Sequence, residues 1–555
     1  MSKITVSKYL AKFLKNIGIK NVFMLSGTGS IHLDDAFAHE KGLDYICARH
    51  EAAAVMMASA DSKLSNKLGV VIATTGPGGT NAIGGVAEAW VDSIPVLVIS
   101  GQVQSSQISP KVRSFGIQGF NIIENVKNIT NFSCQVKKPS QIRYLLEKSI
   151  YLAFHKRPGP VWLDIPFDIQ SHLIDDKKLR GFKPKLKGKT LIKKLPQTKN
   201  IINQINKSSK PAIIFGQAIR SSNSIGLFNK ILKKLNVPAI SARMSIDVLN
   251  NNDKYYFGMG GIRGHIHSQK ILEQSDLLIV LGSSFTHSFA GDNYDLALNK
   301  KVIMVNIDKF ETKKPNFDPF IKVNADVNLF LKDLLHQSKK IKTKNFDNWL
   351  KKCNEIKKKF PVITKKMVKN PINSYYLVDC INKHSKNNSI FVSDAGSANY
   401  VASQALKLKI NQREITSGAF YSMGVTLPMA IGAAKSNSNS QVIAITGDGS
   451  IELNIQELKT LSIHKLNVKL FIINNGGYAS IRKSQEDMTG GRFTDDDDVL
   501  NFKKISKAYD LNYQLISDYK KMSSQIKSVF KSTKPIIIEV LCDNNQKIIE
   551  PFNVK

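Results

Sequence analysis

Residues 447–475 read GDGSIELNIQELKTLSIHKLNVKLFIINN, and the two ends of that stretch carry residues suited to one task. Gly447-Asp448-Gly449 pairs a carboxylate with glycines that let backbone amides approach an anion closely. Asp448 and the side chain of Asn475 offer hard oxygen donors, which suit Mg²⁺ held together with phosphate groups. A second candidate is Glu51, in RHE before the small-residue run AAAVMMASA. A carboxyl at the start of a helix is commonly a terminal acid favoured by the helix dipole. In an apolar setting that holds its proton it is also a general acid–base group.

The elements that must position these residues are legible around them. Residues 442–445 (VIAI) and 468–473 are short apolar runs of the kind that form buried strands. Between them, 453–464 has helical spacing, with Leu453, Leu458 and Leu461 on successive turns. Strand, helix and strand in that space make a crossover whose strands run parallel. Gly447, Asp448, Gly449 and Asn475 then stand at carboxyl ends of neighbouring strands, where open parallel sheets bind ligands. The helix following Gly449 is expected to aim its positive end at the same anion. Residues 45–48 likewise read as a strand, so Glu51 marks the passage from strand to helix.

At 555 residues the chain exceeds one ordinary core and predicts two to four domains. Two basic runs divide it. Nine of the nineteen residues over 177–195 are basic, and nine lysines fall between 339 and 359; both read as solvated connectors. The expected division is a first domain over 1–172, a basic linker over 173–195, a central domain over 196–337, a second basic linker over 338–371, and a last domain over 372–555. No apolar run approaches the ~20 residues that span a bilayer, and the first residues read as an amphipathic helix entering a strand, not a leader. Five scattered cysteines without a CxxC predict a reduced, cytoplasmic setting and no zinc site. The net charge of +35 raises nucleic acid as a partner. Lysine in place of arginine, with abundant Asn and Ile, is what compositional bias produces, so neither nucleic acid nor membrane is an expected partner; attraction of anionic substrates is the milder consequence.

The Gly-Asp-Gly to Asn-Asn spacing resembles the thiamine diphosphate (ThDP) motif. The resemblance extends through TTGPGGTNAIGGVAEAWVDSIPVLVISGQV (74–103), RPGPVWLDIPFDIQ (157–170) and SGAFYSMGVTLPMAIGAA (417–434), which are similar to the acetolactate-synthase pattern. It implies three doubly wound α/β parallel-sheet domains: pyrimidine-binding, central and diphosphate-binding. It also implies a homodimer or homotetramer with ThDP at the subunit interface. Carried over residue by residue, it makes Asp448, Asn475 and the Gly477 carbonyl the Mg²⁺ ligands. Gly447, Gly449, Ser450 and Ser397 approach the diphosphate, and Ile481 lines the space above the thiazolium. Met423 is the apolar wedge beneath the bent cofactor. The Tyr421 carbonyl accepts from the 4′-amino group, at a position where the family usually has Gly. Glu51 is the carboxyl that shares a proton with N1′ of the pyrimidine ring.

The departures from the pattern bear on the substrate. Gln118 matches an amide that can stabilise oxyanion charge, but the synthases' following Glu is Gly119 here, and Phe167 stands where they have Lys. Their acceptor-contacting Trp aligns with Ser484, and Ser480 replaces a Met. An indole buries ~150–250 Å², so its loss leaves a roomier, more polar acceptor site. His32, in GTGSIHLDD, aligns with a loop near the reacting carbon and is a candidate to donate to the acceptor carbonyl or relay its proton.

The central segment offers less. FAD, which synthases hold there, is weakly signalled: IIFGQA lacks a second loop glycine and Ser284 replaces a phosphate-pairing Arg. His265 and His267 read as a surface loop, with no third ligand to make a metal site. Residues 495–498 read as helix capping after Thr494.

The expected activity is decarboxylation of a 2-oxo acid, pyruvate first, with transfer of the two-carbon unit to a second carbonyl: pyruvate or another 2-oxo acid, or a keto sugar. A simple 2-oxo acid decarboxylase or C–C lyase is the alternative, and a non-catalytic ThDP-binding subunit a further one.

Overall fold

The computed structural model describes residues 3–109, 111–113, 115–184, 194–342, 346–492 and 499–553. Short aliphatic runs become the strands of three sheets, each of six parallel strands. Both faces of each sheet are covered, so the strands are apolar throughout rather than alternating. Gly69–Ala73, Leu277–Leu281 and Val442–Gly447 are central examples, buried along almost their whole length.

The first sheet orders its strands as Asp44–Cys47, Asn21–Met24, Gly69–Ala73, Val96–Gln102, Val161–Pro166 and Phe132–Gln135. The third orders Arg413–Thr416, Ile390–Ser393, Val442–Gly447, Val468–Asn474, Ile536–Leu541 and Asn512–Ile516. Numbered within each domain, both read 2-1-3-4-6-5. The middle sheet runs Tyr256–Met259, Ala239–Ser241, Pro211–Phe215, Leu277–Leu281, Lys301–Asn306 and Ile321–Asn324, or 3-2-1-4-5-6. That is the order of dinucleotide-binding sheets, whose crevice opens where the order reverses.

The first and third domains share one apolar core. Its centre is the helix Glu51–Ser65 packed on the helix Thr426–Ser436. The run AAAVMMASA is mostly small side chains, which let a neighbouring helix come close. Gly432 sits so close that an added Cβ would lie 2.2 Å from the Met57 carbonyl. Small residues on both helices therefore set the spacing of the two domains.

Three local expectations are corrected. The helix after Gly449 does not start at Leu453: Ile451–Asn454 is a 3₁₀ turn and the α-helix is Glu457–His464. Asn454 turns its side chain to the Gly424 carbonyl at 3.0 Å, which fixes the segment before the helix begins. His265 and His267 do not lie on a surface loop; both are buried, His265 against Gln404 of the third domain and His267 against Phe360 of the second basic segment. His265 Nδ1 accepts from the Met259 amide at 2.9 Å, so Nε2 carries the proton and donates to the Gln404 carbonyl at 2.9 Å. Burial holds His265 down to about 4 and His267 well below its ordinary value, so both are neutral. The basic run over 339–359 is more than a solvated connector. It contains the helix Asp347–Lys359, whose Trp349, Leu350 and Cys353 join the middle domain's core; Lys357 donates to the Tyr256 carbonyl at 2.9 Å, while Lys351, Lys352, Lys358 and Lys359 are exposed. Residues 185–193 of the first basic run and the capping reading of 495–498 lie outside the described residues.

Candidate active site

On the first domain, the turn over 74–78 gathers three of the expected residues. Glu51 opens its helix right after His50, whose Nδ1 accepts from the Ala52 amide at 3.2 Å. The Glu51 carboxyl is buried, takes a hydrogen bond from Asn81 Nδ2 at 3.1 Å, and lies 3.3 Å from where a Gly78 side chain would begin. Gly76 has φ +60, and a Cβ there would collide with the Gln118 carbonyl. Only glycine permits both this backbone and this contact. Gln118, itself at φ +62, thus backs onto the turn that holds Glu51, with its side chain exposed. The loop bearing His32 leans on the same turn, since side chains at Gly27 and Gly29 would run into Thr74 and Thr75. His32 stacks obliquely on Phe167, ring centres 4.8 Å apart. Two residues singled out separately therefore form one aromatic wall.

On the third domain, Asp448 is buried and its oxygens collect three amides, Gly449, Asn475 and Gly477, each at 2.9 Å. Because the strands Val442–Gly447 and Val468–Asn474 are paired, these contacts bring Asp448, Asn475 and Gly477 around one point. Asn475 Nδ2 reaches Ser397 Oγ at 3.5 Å. Side chains added at Gly396 or Gly447 would meet no atom within 4 Å, so the space over these adjacent strand ends is open. An open glycine cradle beside one buried carboxylate and an amide oxygen fits a diphosphate with Mg²⁺, which takes few protein ligands and completes its shell from phosphate and water. Among the described residues no cluster of three His, Cys, Asp or Glu forms an all-protein cage.

Two expected contacts have other commitments. The Ser450 hydroxyl donates to Asp394 at 2.6 Å and accepts the Gly424 amide at 2.9 Å, so it holds the segment after Met423. The Gly477 carbonyl accepts from the guanidinium of buried Arg482, which also holds the Gly476 and Asn475 carbonyls. A carbonyl has two lone pairs, so one remains for a metal. Tyr421 sits at φ +55, the left-handed region, which explains why glycine suits this position. Ile481 is half exposed, and Ser484, also exposed, back-bonds to the Ser480 carbonyl at 3.0 Å.

Several buried polar groups behind this site were not singled out from the sequence. Asp394, inside the DAGSAN segment, receives Thr446 and Ser450; burial raises it to about 6. Glu457 accepts the Arg49 amide at 2.7 Å, tying the Glu51 helix to the third domain. Lys63, Glu88 and Asp92 line the same seam. Their partners are some 330–350 residues distant, and no local spacing announces them.

A cavity of about 320 Å³ opens at the order reversal of the middle sheet, lined by Gly216, Ala218, Gly282, Ser284, Arg157 and Arg263 among others. Both arginines are already paired, Arg157 with Asp308 and Glu311 and Arg263 with Glu550.

Comparison with known proteins gives a consistent picture along the chain. A family model described as the N-terminal TPP binding domain of thiamine pyrophosphate enzymes matches residues 4–124. The corresponding central-domain model matches 198–334 and the C-terminal TPP binding domain model 394–540. The acetolactate synthase large subunit of Lactococcus lactis is 29% identical over 548 residues, covering 98% of this chain and 93% of that protein. The acetolactate synthase isozyme 1 large subunit of Escherichia coli is 27% identical over 552 residues, covering 98% and 95%. The chloroplastic acetolactate synthase of Arabidopsis thaliana is 27% identical over 559 residues, covering 97% and 82%. Among the described residues no helix is long and apolar enough to cross a membrane.

Proposed function

The chain belongs to the thiamine pyrophosphate (thiamine diphosphate) enzyme family, and from that premise we propose that it is an acetolactate-synthase-like carboligase. It decarboxylates a 2-oxo acid, pyruvate first, and transfers the two-carbon unit to a second carbonyl compound. The observation that carries the reading is the Asp448 carboxylate clamped by the amides of Gly449, Asn475 and Gly477, which sets Asp448, Asn475 and Gly477 around one point beside an open cradle.

When bound, ThDP supplies an electron sink for the decarboxylation and for the attack on the acceptor. Asp448, Asn475 and the Gly477 carbonyl would hold Mg²⁺, and Gly396 with the Gly447–Gly449 turn would receive the diphosphate. The Tyr421 carbonyl would accept a hydrogen bond from the 4′-amino group, and Met423 would support the cofactor from beneath. Glu51 exchanges a proton with N1′, a general acid–base role that the Asn81 contact orients. Gln118 donates to developing oxyanion charge. His32, held against Phe167, meets the acceptor carbonyl or relays its proton.

The two halves come from two copies of the chain. Glu51 lies at the amino-terminal end of the helix Pro77–Val91, near Gly78, whereas Ser422 stands beside Glu88, ten residues further along. At 1.5 Å per residue that is about 15 Å, too far for one pyrimidine ring to touch both Glu51 and the Tyr421 carbonyl. A homodimer or larger homo-oligomer completes the site.

The acceptor side favours a hydroxylated ketone such as a keto sugar: Ser480 and Ser484 replace bulk with hydroxyls, and His32 with Phe167 adds an aromatic face. FAD is left out of the reading because Arg157 and Arg263 are neutralised within the protein. Purified protein should therefore lack flavin absorbance in the visible. The test of function is incubation with ThDP, Mg²⁺ and pyruvate, following CO₂ and products with and without candidate keto sugars. A new branched product supports the carboligase; acetaldehyde alone indicates a simple decarboxylase; no CO₂ with either acceptor refutes the reading.

A further inference from the structure

Residues 417–424 carry Tyr421 and Met423, yet the groups that fix the start of this loop come from the first domain. Asp92 follows the helix Pro77–Val91 and its side chain is fully shielded from solvent. Its Oδ2 accepts the Gly418 amide and its Oδ1 the Ala419 amide, both at 2.9 Å. Lys63 Nζ pairs with Asp92 Oδ2 at 3.2 Å and donates a second bond to the Thr416 carbonyl. One ammonium and one carboxylate thus hold three backbone groups at the root of the loop.

A buried ion pair is a poor way to gain stability alone, because desolvation offsets the attraction. It gives direction instead: two carboxylate oxygens aim two consecutive amides. The loop needs such aim, since Tyr421 has a positive φ, a conformation that persists only where surroundings over-determine it. The Ser422 amide closes back on Ser417 Oγ at 3.2 Å. Glu88, one turn before Asp92, backs the same segment. It is buried, and the groups facing it are Asp92, Lys63, Ser422 and Asp394.

We propose that Asp92, locked by Lys63, is a positioning residue that aims the Tyr421 carbonyl and Met423 at the pyrimidine. This rests on the ThDP reading above. It differs from a stabilising role because the pair acts on one loop.

The experiment reads hydrogen–deuterium exchange of the peptide over 417–424 in the cofactor-free protein, and proton exchange at C2 of bound ThDP in the presence of Mg²⁺. Asp92→Asn keeps the shape but leaves one oxygen to accept. It should raise exchange of the Gly418 and Ala419 amides, and lower C2 exchange, by about tenfold or more, the scale of one lost bond to a charged group. Lys63→Arg keeps the charge and should restore wild-type values in both. Asp247→Asn is the control: Asp247 pairs with Arg220 of its own middle domain and Arg413 of the third, at a neighbouring domain junction, without a hydrogen bond to 417–424. It should lower the melting temperature and move neither readout. Wild-type loop protection and C2 exchange in Asp92→Asn would overturn the proposal. So would the same loop and C2 changes in Asp247→Asn, since seam stability alone would then explain them. Should Asp92→Asn fail to fold, Lys63→Gln removes the lock and must show the same two changes, or the proposal fails. Loop protection is read without cofactor, so a wild-type protein that binds no ThDP would refute the cofactor reading separately.

Discussion

Glu88→Gln should make the protein more stable at alkaline pH and leave it nearly unchanged at acidic pH. Burial, and then the negative charge of Asp92, push Glu88 up from 4.5 to about 7. Between those values the folded chain holds a proton that the unfolded chain has lost. Stability is therefore fully present below about pH 4.5, falls as pH rises, and is lost once Glu88 ionises above about 7. The gap, at 1.36 kcal/mol per pH unit, amounts to about 3 kcal/mol. Glutamine cannot ionise, so the variant escapes that cost above about pH 8 and gains little below about pH 5. Asp34, Asp164 and Asp394, each raised to about 6 mainly by burial, titrate in the same direction. The wild-type curve alone cannot isolate Glu88, but the difference between variant and wild type can. The assay is urea unfolding of the cofactor-free protein across the pH range, comparing the transition reported by the first and third domains. A difference that stays flat from pH 5 to pH 9 would refute the reasoning, because it would mean Glu88 finds a partner for its charge.

Asp448→Ala should abolish Mg²⁺-dependent retention of ThDP, and it also strands three amides, so Asp448→Asn serves as the milder control; wild-type cofactor affinity in the alanine variant, by equilibrium dialysis, would remove the metal assignment. Ser484→Trp should fill ~150–250 Å² of acceptor surface and shift kcat/KM from keto sugars toward pyruvate as acceptor; an unchanged ratio would take Ser484 out of the acceptor site. Flavin absorbance in the purified protein would reopen the middle-domain crevice, since Arg157 and Arg263 would then have to release their acids.

The parts of this site that the sequence made legible are local ones. Gly447, Asp448 and Asn475 lie within one strand–helix–strand unit, so their meeting follows from strand order alone. Glu51 is readable as the passage from strand to helix, since residues 44–47 and 51–65 differ plainly in pattern. The helix expected from Leu453 begins later because Asn454 is claimed by Gly424, thirty residues away in sequence. His265 and His267 were misplaced for a similar reason: beside Met259 of their own domain, they meet Gln404 and Phe360, some 90 to 140 residues away in sequence. Arg482 sits in a run of polar residues that reads as a solvated helix, yet the carbonyls of Asn475, Gly476 and Gly477 draw it inward. Asp92 was visible only as part of WVDSIP; its role exists only once the third domain lays Gly418 and Ala419 against it. Periodicity reports which face is buried, and cannot report what a distant segment will place there.

The central claim, that Glu51 activates ThDP held by the Asp448 loop, is tested most directly by proton exchange at C2 of the bound cofactor. The protein is loaded with ThDP and Mg²⁺, mixed with D₂O, quenched in acid, and read by NMR. Glu51→Gln is nearly isosteric and still accepts from Asn81, so fold and cofactor binding should persist. Exchange should fall by roughly 10²- to 10⁴-fold, the contribution of a general acid–base group. Retained binding with exchange within about threefold of wild type, far short of that range, would contradict the account and assign the proton to another group.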